Sequence, residues 1–187
     1  ATPTNTDALL QALTFYNNDD TPTTSRTLSI TVTDGDTGTT GAQTVVVSVT
    51  AANDAPTLSG LTAKTVAENA TAAAIDSAVV FADVDSSDLN TGTVTVSGLD
   101  GQDVVSIATD VSDSSGAIQR DSNNVQVSNG SNWTTIGTIG TGSAATGSGE
   151  TLVITLNSAA TPTNTDALLE ALTFYNNDDT PTTSRTL

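Results

Sequence analysis

Acidic side chains gather in four short stretches of this sequence, next to residues that are typical of turns. Together with one asparagine they supply eight oxygen-donor residues: Asp34, Asp36, Asn53, Asp54, Glu68, Asp83, Asp85 and Asp88. Ca²⁺ binds about six to eight oxygens, and neighbouring carboxylates repel one another unless a cation bridges them. The sequence therefore predicts these residues as calcium ligands. The alternative is that they are solvated loop residues of an acidic protein.

The charge balance and the missing residue types exclude several classes of function. The chain has 21 acidic residues against 4 basic ones, a net charge of −17, so it should repel nucleic acid and anionic lipid. It has no His and no Cys, which removes Ser-His-Asp and Cys-His catalysis. A carboxylate pair could still hydrolyse sugars, but aromatic residues that would stack on a sugar make up only 3% of the chain. We therefore expect no enzyme, no catalytic residues and no cofactor besides calcium.

The sequence contains a long internal repeat. Residues 1–28 recur at residues 160–187, an offset of 159 residues, and the copies differ only in Gln11 against Glu170. Self-similarity at a fixed period is the signature of a tandem array. We therefore expect slightly more than one period, which starts inside one repeat and stops inside the next. Near-identical repetition also favours a structural unit over an enzyme.

Apolar and polar residues alternate in five parts of the sequence, which predicts half-buried strands of antiparallel sheets. Three of these predicted strands are Thr27–Thr33, Thr44–Thr50 and Thr93–Ser97. The alternation returns at Val125–Val127 and at Leu152–Leu156. About nine or ten short strands per period predict an all-β fold of Ig-like antiparallel β-sandwich repeats. The same alternation argues against a disordered acidic linker.

One short helix is predicted in each repeat. Capping residues that end at Asp7 precede the apolar run Ala8–Leu13, and an acidic residue is favourable at the start of a helix. Leu9, Leu10 and Leu13 lie on one face at helical spacing, so we expect this face to pack into the core of the sandwich. The same element returns at Thr165–Leu172.

A domain boundary is predicted between Thr50 and Pro56. It follows a clear strand, and Pro56 removes a backbone donor from any ladder there. On this division, residues 1–52 are the C-terminal part of one repeat and residues 53–187 belong to the following repeat. The second part lacks its last strands, which the equivalents of residues 29–52 would supply in the next repeat.

Three motifs around this boundary give the chain a family resemblance. They are Asn53-Asp54-Ala55-Pro56, Val66-Ala67-Glu68-Asn69 and Ala82-Asp83-Val84-Asp85. Their order resembles the linker, strand and loop motifs of cadherin repeats. The resemblance implies that Asn53, Asp54, Glu68, Asp83 and Asp85 bind calcium at a junction between domains and stiffen a rod. Ala51 stands where cadherin linkers usually carry Asp, so fewer ions are expected, or Asp34 and Asp36 substitute for it.

A second resemblance covers the part of the repeat that contains the helix. Ala12–Tyr16 and Arg26–Asp36 are similar to cadherin-related repeats of the chondroitin-sulfate-proteoglycan type, which are common in giant bacterial surface and adhesin-like proteins. This resemblance implies a secreted, extracellular module of the cell surface. Its partners would be neighbouring repeats or copies of itself, with no insertion into a membrane.

Three functions follow from these patterns. The first is a calcium-rigidified stalk or filament built from head-to-tail repeats. The second is an adhesive module that binds a glycan or a protein partner, which requires an exposed aromatic residue such as Trp133 or Tyr16. The third is assembly without covalent linkage, in which residues 1–52 of one molecule complete residues 53–187 of another by strand addition.

Overall fold

The computed structural model describes residues 2–108, 114–140, 149 and 151–187. The chain divides into two compact units, Ala1–Asp54 and Ala55–Leu187, with the division two residues beyond the predicted boundary. The described residues form twelve strands and two short helices, and every strand pairing is antiparallel. They therefore form an all-β fold, as the alternation predicts.

The first unit consists of one helix and one two-stranded sheet. Helix α1 spans Pro3–Gln11, and strands β1 (Ser25–Ile30) and β2 (Gln43–Ser48) pair antiparallel. Both strands begin and end slightly earlier than predicted. No described residue of this unit is buried, because one helix and one hairpin do not enclose a core.

The second unit contains the other described elements. In chain order these are β3 (Thr57–Ser59), β4 (Ala73–Ala74), β5 (Val80–Ala82), β6 (Thr93–Val96), β7 (Asp103–Ile107), β8 (Ile118–Asp121), β9 (Asn124–Ser128), β10 (Trp133–Ile139), β11 (Leu152–Leu156), α2 (Pro162–Glu170) and β12 (Leu172–Asn176). The strands form a five-stranded sheet in the order β6-β11-β10-β9-β8, a three-stranded sheet β4-β12-β7 and the pair β3-β5.

The core of the second unit lies among the five-stranded sheet, β7, α2 and β12. Leu152, Ile154 and Leu156 of β11 all point inward, as the alternation predicts, and each is at most 4% exposed. Leu168 of α2 and Leu172 of β12 belong to the same apolar cluster. The duplicated segment therefore contributes both its helix and its strand to the core here.

Both helices begin earlier than predicted. Thr2 caps α1, with its hydroxyl accepting from Asn5 N at 3.4 Å, and Pro3 is the first helical residue. Proline suits this position because its missing N–H would have no partner there and its φ is already helical. Asp7 consequently lies in the middle of the helix, and its predicted place at the helix start is wrong.

Candidate assembly site

The two copies of the repeated segment have the same sequence and different surroundings. Leu168 is 0% exposed, whereas its counterpart Leu9 is 64% exposed. Leu172 is 5% exposed and its counterpart Leu13 is 57% exposed. The prediction that this face packs into a core is therefore correct for α2 and wrong for α1, because only α2 has strands to pack against.

Backbone hydrogen bonds fasten the second copy to the rest of its unit along its length. In β12, Leu172 pairs with Ile107 of β7, and Phe174 pairs with both Val105 of β7 and Ala73 of β4. Four further contacts are Leu89 N to Ala160 O at 2.8 Å, Ile75 N to Leu172 O at 2.8 Å, Asn69 N to Asn176 O at 2.8 Å and Phe81 N to Asp166 Oδ1 at 2.6 Å. Residues 69–107 thus form a seat for this segment.

A buried carboxylate completes the seat. Asp103 is 0% exposed, and its Oδ1 accepts from Asn176 Nδ2 at 2.7 Å. Its Oδ2 accepts from the backbone N of Asp100 at 2.7 Å and forms an ion pair with Arg185 Nε. A buried carboxylate is costly unless it is paired and hydrogen-bonded, so the bonds from Asn176 and Arg185 offset that cost.

Asp100 holds the end of the segment from the other side. Its Oδ2 lies 3.3 Å from Arg185 Nε and accepts from Thr182 Oγ1 at 2.8 Å. We call Asp100, Asp103, Asn176, Thr182 and Arg185 the polar clamp. Nothing in the sequence analysis identified it, because its partners are far apart in the chain. The one available signal was an arginine within the repeated segment of a chain with only 4 basic residues.

The first copy of the segment has the donors of the clamp without its acceptors. Arg26 Nη1 donates to Thr23 O at 3.1 Å, and Arg185 Nη1 makes the same 3.1 Å bond to Thr182 O. The local conformation of the arginine is thus retained. Within the described part of the chain, however, no carboxylate lies within 4.0 Å of Arg26.

An open groove of about 600 Å³ lies beside the clamp, and we call it the terminal groove. Leu61, Val66, Ile75 and Phe174 supply its apolar lining, and residues 181–187 run along it without forming a strand. In the first unit, the residues identical to Ser184–Leu187 are Ser25–Leu28, which begin β1 and pair with β2. If the second copy continued in the same way as the first, its hairpin would therefore begin beside the terminal groove.

Asp76 fixes the wall of this groove. Its Oδ2 accepts from Thr62 Oγ1 at 2.6 Å and from Thr62 N at 2.9 Å, and its Oδ1 accepts from Ala78 N at 2.9 Å. The Thr62 hydroxyl, followed by the two backbone amides and the charge of Lys64, lowers the pKa of Asp76 below its ordinary value. Gly60 has a φ of +84° and passes so close to Ala78 O that any side chain would collide with it.

Acid should therefore lower the stability that Asp76 gives to the wall of the terminal groove. Because the folded-state pKa of Asp76 is lower than its unfolded value of about 3.9, its contribution is complete above pH ~4 and is lost as pH falls through the folded pKa. Thr62→Val removes the strongest cause of the shift. Urea unfolding should show that this variant loses less stability than the parent between pH ~4 and ~2. Parallel pH profiles for the two proteins would contradict this role of Asp76.

The eight predicted calcium ligands are divided equally between the units. Asp34, Asp36, Asn53 and Asp54 lie in the first unit. Asp34 Oδ1 accepts from the backbone N of Asp36 and of Gly38, both at 2.9 Å, so this carboxylate already closes its own loop. Asn53 Nδ2 donates to Asp54 O at 2.8 Å.

The other four predicted ligands lie in the second unit. Glu68 is exposed beside the terminal groove, Asp83 Oδ1 accepts from Ser86 N at 3.1 Å, and Asp88 Oδ1 accepts from Asn90 N at 3.0 Å. Asp85 is half-buried. Within residues 2–108, 114–140, 149 and 151–187, no three acidic side chains come together in a way that could hold a metal ion.

The two aromatic residues named for an adhesive site differ in exposure. Trp133 begins β10 and is half-buried. Tyr16 is 84% exposed, whereas its counterpart Tyr175 is half-buried in β12. The exposure of Tyr16 thus reflects the absence of the strands that flank β12, and it gives no separate support to glycan binding.

Neither described helix is long and apolar enough to cross a membrane. Comparison of the chain with protein-family models, with curated proteins and with solved structures finds no match.

Proposed function

We propose that this chain is a structural unit of a tandem array whose modules are completed by the hairpin that follows each repeated segment. One observation carries the proposal: Leu168 and Leu172 are buried in the second copy of the segment, whereas their counterparts Leu9 and Leu13 are exposed in the first. On this view residues 1–54 correspond to the last part of one module, and residues 55–187 belong to the module that follows it.

The hairpin has the properties that such a role requires. Leu28 and Ile30 of β1 and Val47 of β2 are half-buried, and Val46 on the other face is 64% exposed. A two-stranded hairpin is marginally stable alone, and exposed strand edges readily pair with another sheet. The terminal groove offers apolar side chains at the point where the next hairpin would begin.

The architecture we propose for the completed module is a β-sandwich of the cadherin type, in an extracellular stalk or filament. Antiparallel sheets with one short helix per repeat and a surface rich in carboxylates support it. The function is mechanical. Each module is a spacer, and the repeated segment fixes the register between successive modules.

Extending the chain tests the proposal. Adding a copy of residues 29–54 after Leu187 should let the new hairpin dock on the second unit and bury apolar surface there. A gain of about 2 kcal/mol would raise the melting temperature by about 4–8 °C for a domain of this size. The control is the same extension with serine at the copies of Val45 and Val47. Equal melting temperatures for both extensions and the parent would contradict the proposal.

Calcium is the second part of the proposal. The excess of 21 acidic residues over 4 basic ones supports it, since self-repulsion would favour bound cations. Calcium at about 100 times its Kd should stabilise the protein by about 2.7 kcal/mol, because it would bind the folded state alone. Asp83→Asn should reduce this gain, whereas Asp19→Asn, which changes an exposed acid outside the predicted set, should not. Identical melting curves with calcium and with a chelator would refute calcium binding.

A further inference from the structure

We propose that residues 55–159 accept the segment 2–28 of a second copy of this chain, in the seat that residues 161–187 occupy in their own molecule. We call residues 55–159 the acceptor and residues 2–28 the donor segment. This inference rests on the proposed function only because both use the same seat. It goes further because the segment in the seat comes from a second molecule.

The donor segment matches the seat residue by residue. Leu9 and Leu13 correspond to Leu168 and Leu172 of the core. Asn17 and Arg26 correspond to the two clamp residues that contact Asp103. After exchange, the buried contacts of Leu168, Leu172, Asn176 and Arg185 would be reproduced by identical side chains.

The one difference between the copies lies outside the buried contacts. Glu170 is exposed at the end of α2, and Gln11 takes its place in the donor segment. The exchange therefore removes no core or clamp interaction. In a molecule with a net charge of −17, it also brings one acidic residue fewer against the acceptor.

The donor segment is joined to the hairpin of the first unit. It continues from Leu28 into β1 and β2, so its arrival would place a paired hairpin beside the terminal groove. The seat already accommodates a close approach at this end, because Gly98 has a φ of +83° and a side chain there would collide with Thr186 O. Exchange of identical elements between protomers is a low-cost route to assembly.

Disulfide trapping gives a direct test because the parent chain contains no cysteine. Thr173 lies directly opposite Ser106 in the β12–β7 ladder, and Thr14 is the counterpart of Thr173. Opposed residues of antiparallel strands lie about 4.5–5.5 Å apart at Cα, which a disulfide can bridge. Ser106→Cys protein and Thr14→Cys protein are therefore mixed under mild oxidation at physiological salt.

The expected product is a mixed disulfide dimer of the Ser106→Cys and Thr14→Cys proteins. It should form at least about tenfold faster than the dimer of Ser106→Cys and Thr4→Cys proteins. Thr4→Cys is the control because its counterpart Thr163 is not opposite Ser106. The control is the doubly substituted Ser106→Cys/Thr173→Cys protein, which should form the disulfide within one chain. This control tests whether the two positions can be oxidised to a disulfide. Equal rates for the Thr14 and Thr4 variants would overturn the proposal.

A pair of core substitutions provides an independent readout. Leu168→Asp places a charge on the buried face of the segment that occupies the seat. Leu9→Asp places the same charge only on the donor segment. The first variant should elute as dimers or larger species with a folded second unit, and its melting temperature should rise with protein concentration. The second should fold as a monomer that forms no exchanged species, because its own residues 161–187 still fill the seat, and the double variant should unfold. A folded monomeric Leu168→Asp protein would overturn the proposal, as would one unfolded at every concentration.

The outcome also separates this proposal from the proposed function. If the extended chain gains stability while no mixed disulfide forms, modules are completed along one chain only and exchange between copies is refuted. If the mixed disulfide forms while the extension has no effect, the seat is shared between copies and the completing hairpin is refuted.

Discussion

Replacing Leu168 by alanine should lower the free energy of unfolding by about 2–5 kcal/mol, the usual cost of truncating a fully buried leucine. Leu168 is 0% exposed and packs among the strands of the core. The same replacement at Leu9, which is 64% exposed in an identical helix, should change it by less than about 0.5 kcal/mol. Urea unfolding measures both variants, followed through the fluorescence of Trp133 for the second unit and through far-UV circular dichroism for the helices and strands of both units.

This pair controls for helix propensity, since both leucines are followed by the same Leu and preceded by the same Ala. Any difference between the variants must come from tertiary packing. Comparable losses would mean that α1 is packed in a core as well, which would contradict the difference between the two copies.

Replacing Arg185 by methionine should destabilise the second unit by about 3–5 kcal/mol, the range seen when one partner of a buried ion pair is removed. Asp103 is fully buried, and its remaining bonds from Asn176 and Asp100 carry no positive charge. The side chain of Arg185 is 14% exposed, so some water reaches the pair and the lower end of the range is expected. Chemical unfolding at neutral pH measures the loss.

Arg26→Met is the matched control for this experiment. Arg26 makes the same bond to a carbonyl three residues earlier, that of Thr23, but no described carboxylate is its partner. Its replacement should leave stability within about 0.5 kcal/mol of the parent. If the two arginine variants lost equal stability, the polar clamp would not hold the segment in its seat.

The strands were predictable because their signal is local. The alternation at Leu152–Leu156 places three side chains in the core, and the structure buries all three. The start of the helix was missed because the capping pattern at Asp7 outweighed Pro3, although proline at the first helical position is equally informative. Both are features of a few consecutive residues.

The candidate site could not be predicted in the same way. Two identical segments carry identical local signals, so no local pattern distinguishes the buried Leu168 from the exposed Leu9. The clamp joins Asn176 to Asp103 across 73 residues, and such a pairing depends on the order of strands in the sheet. The acidic stretches, which do have a local signal, contain carboxylates such as those of Asp34 and Asp83 that accept hydrogen bonds from their own loops.

Native-state amide hydrogen exchange on the unmodified chain compares the two copies most directly. Because residues 2–28 and 161–187 share their sequence except at Gln11 and Glu170, their intrinsic exchange rates match almost position by position. We predict that the most protected amides of β12 exchange at least about a thousandfold more slowly than those of Leu13–Asn17, since the former open only with the whole unit. In dilute protein, where each seat holds its own residues 161–187, equal protection in the two copies would contradict the difference in packing between them.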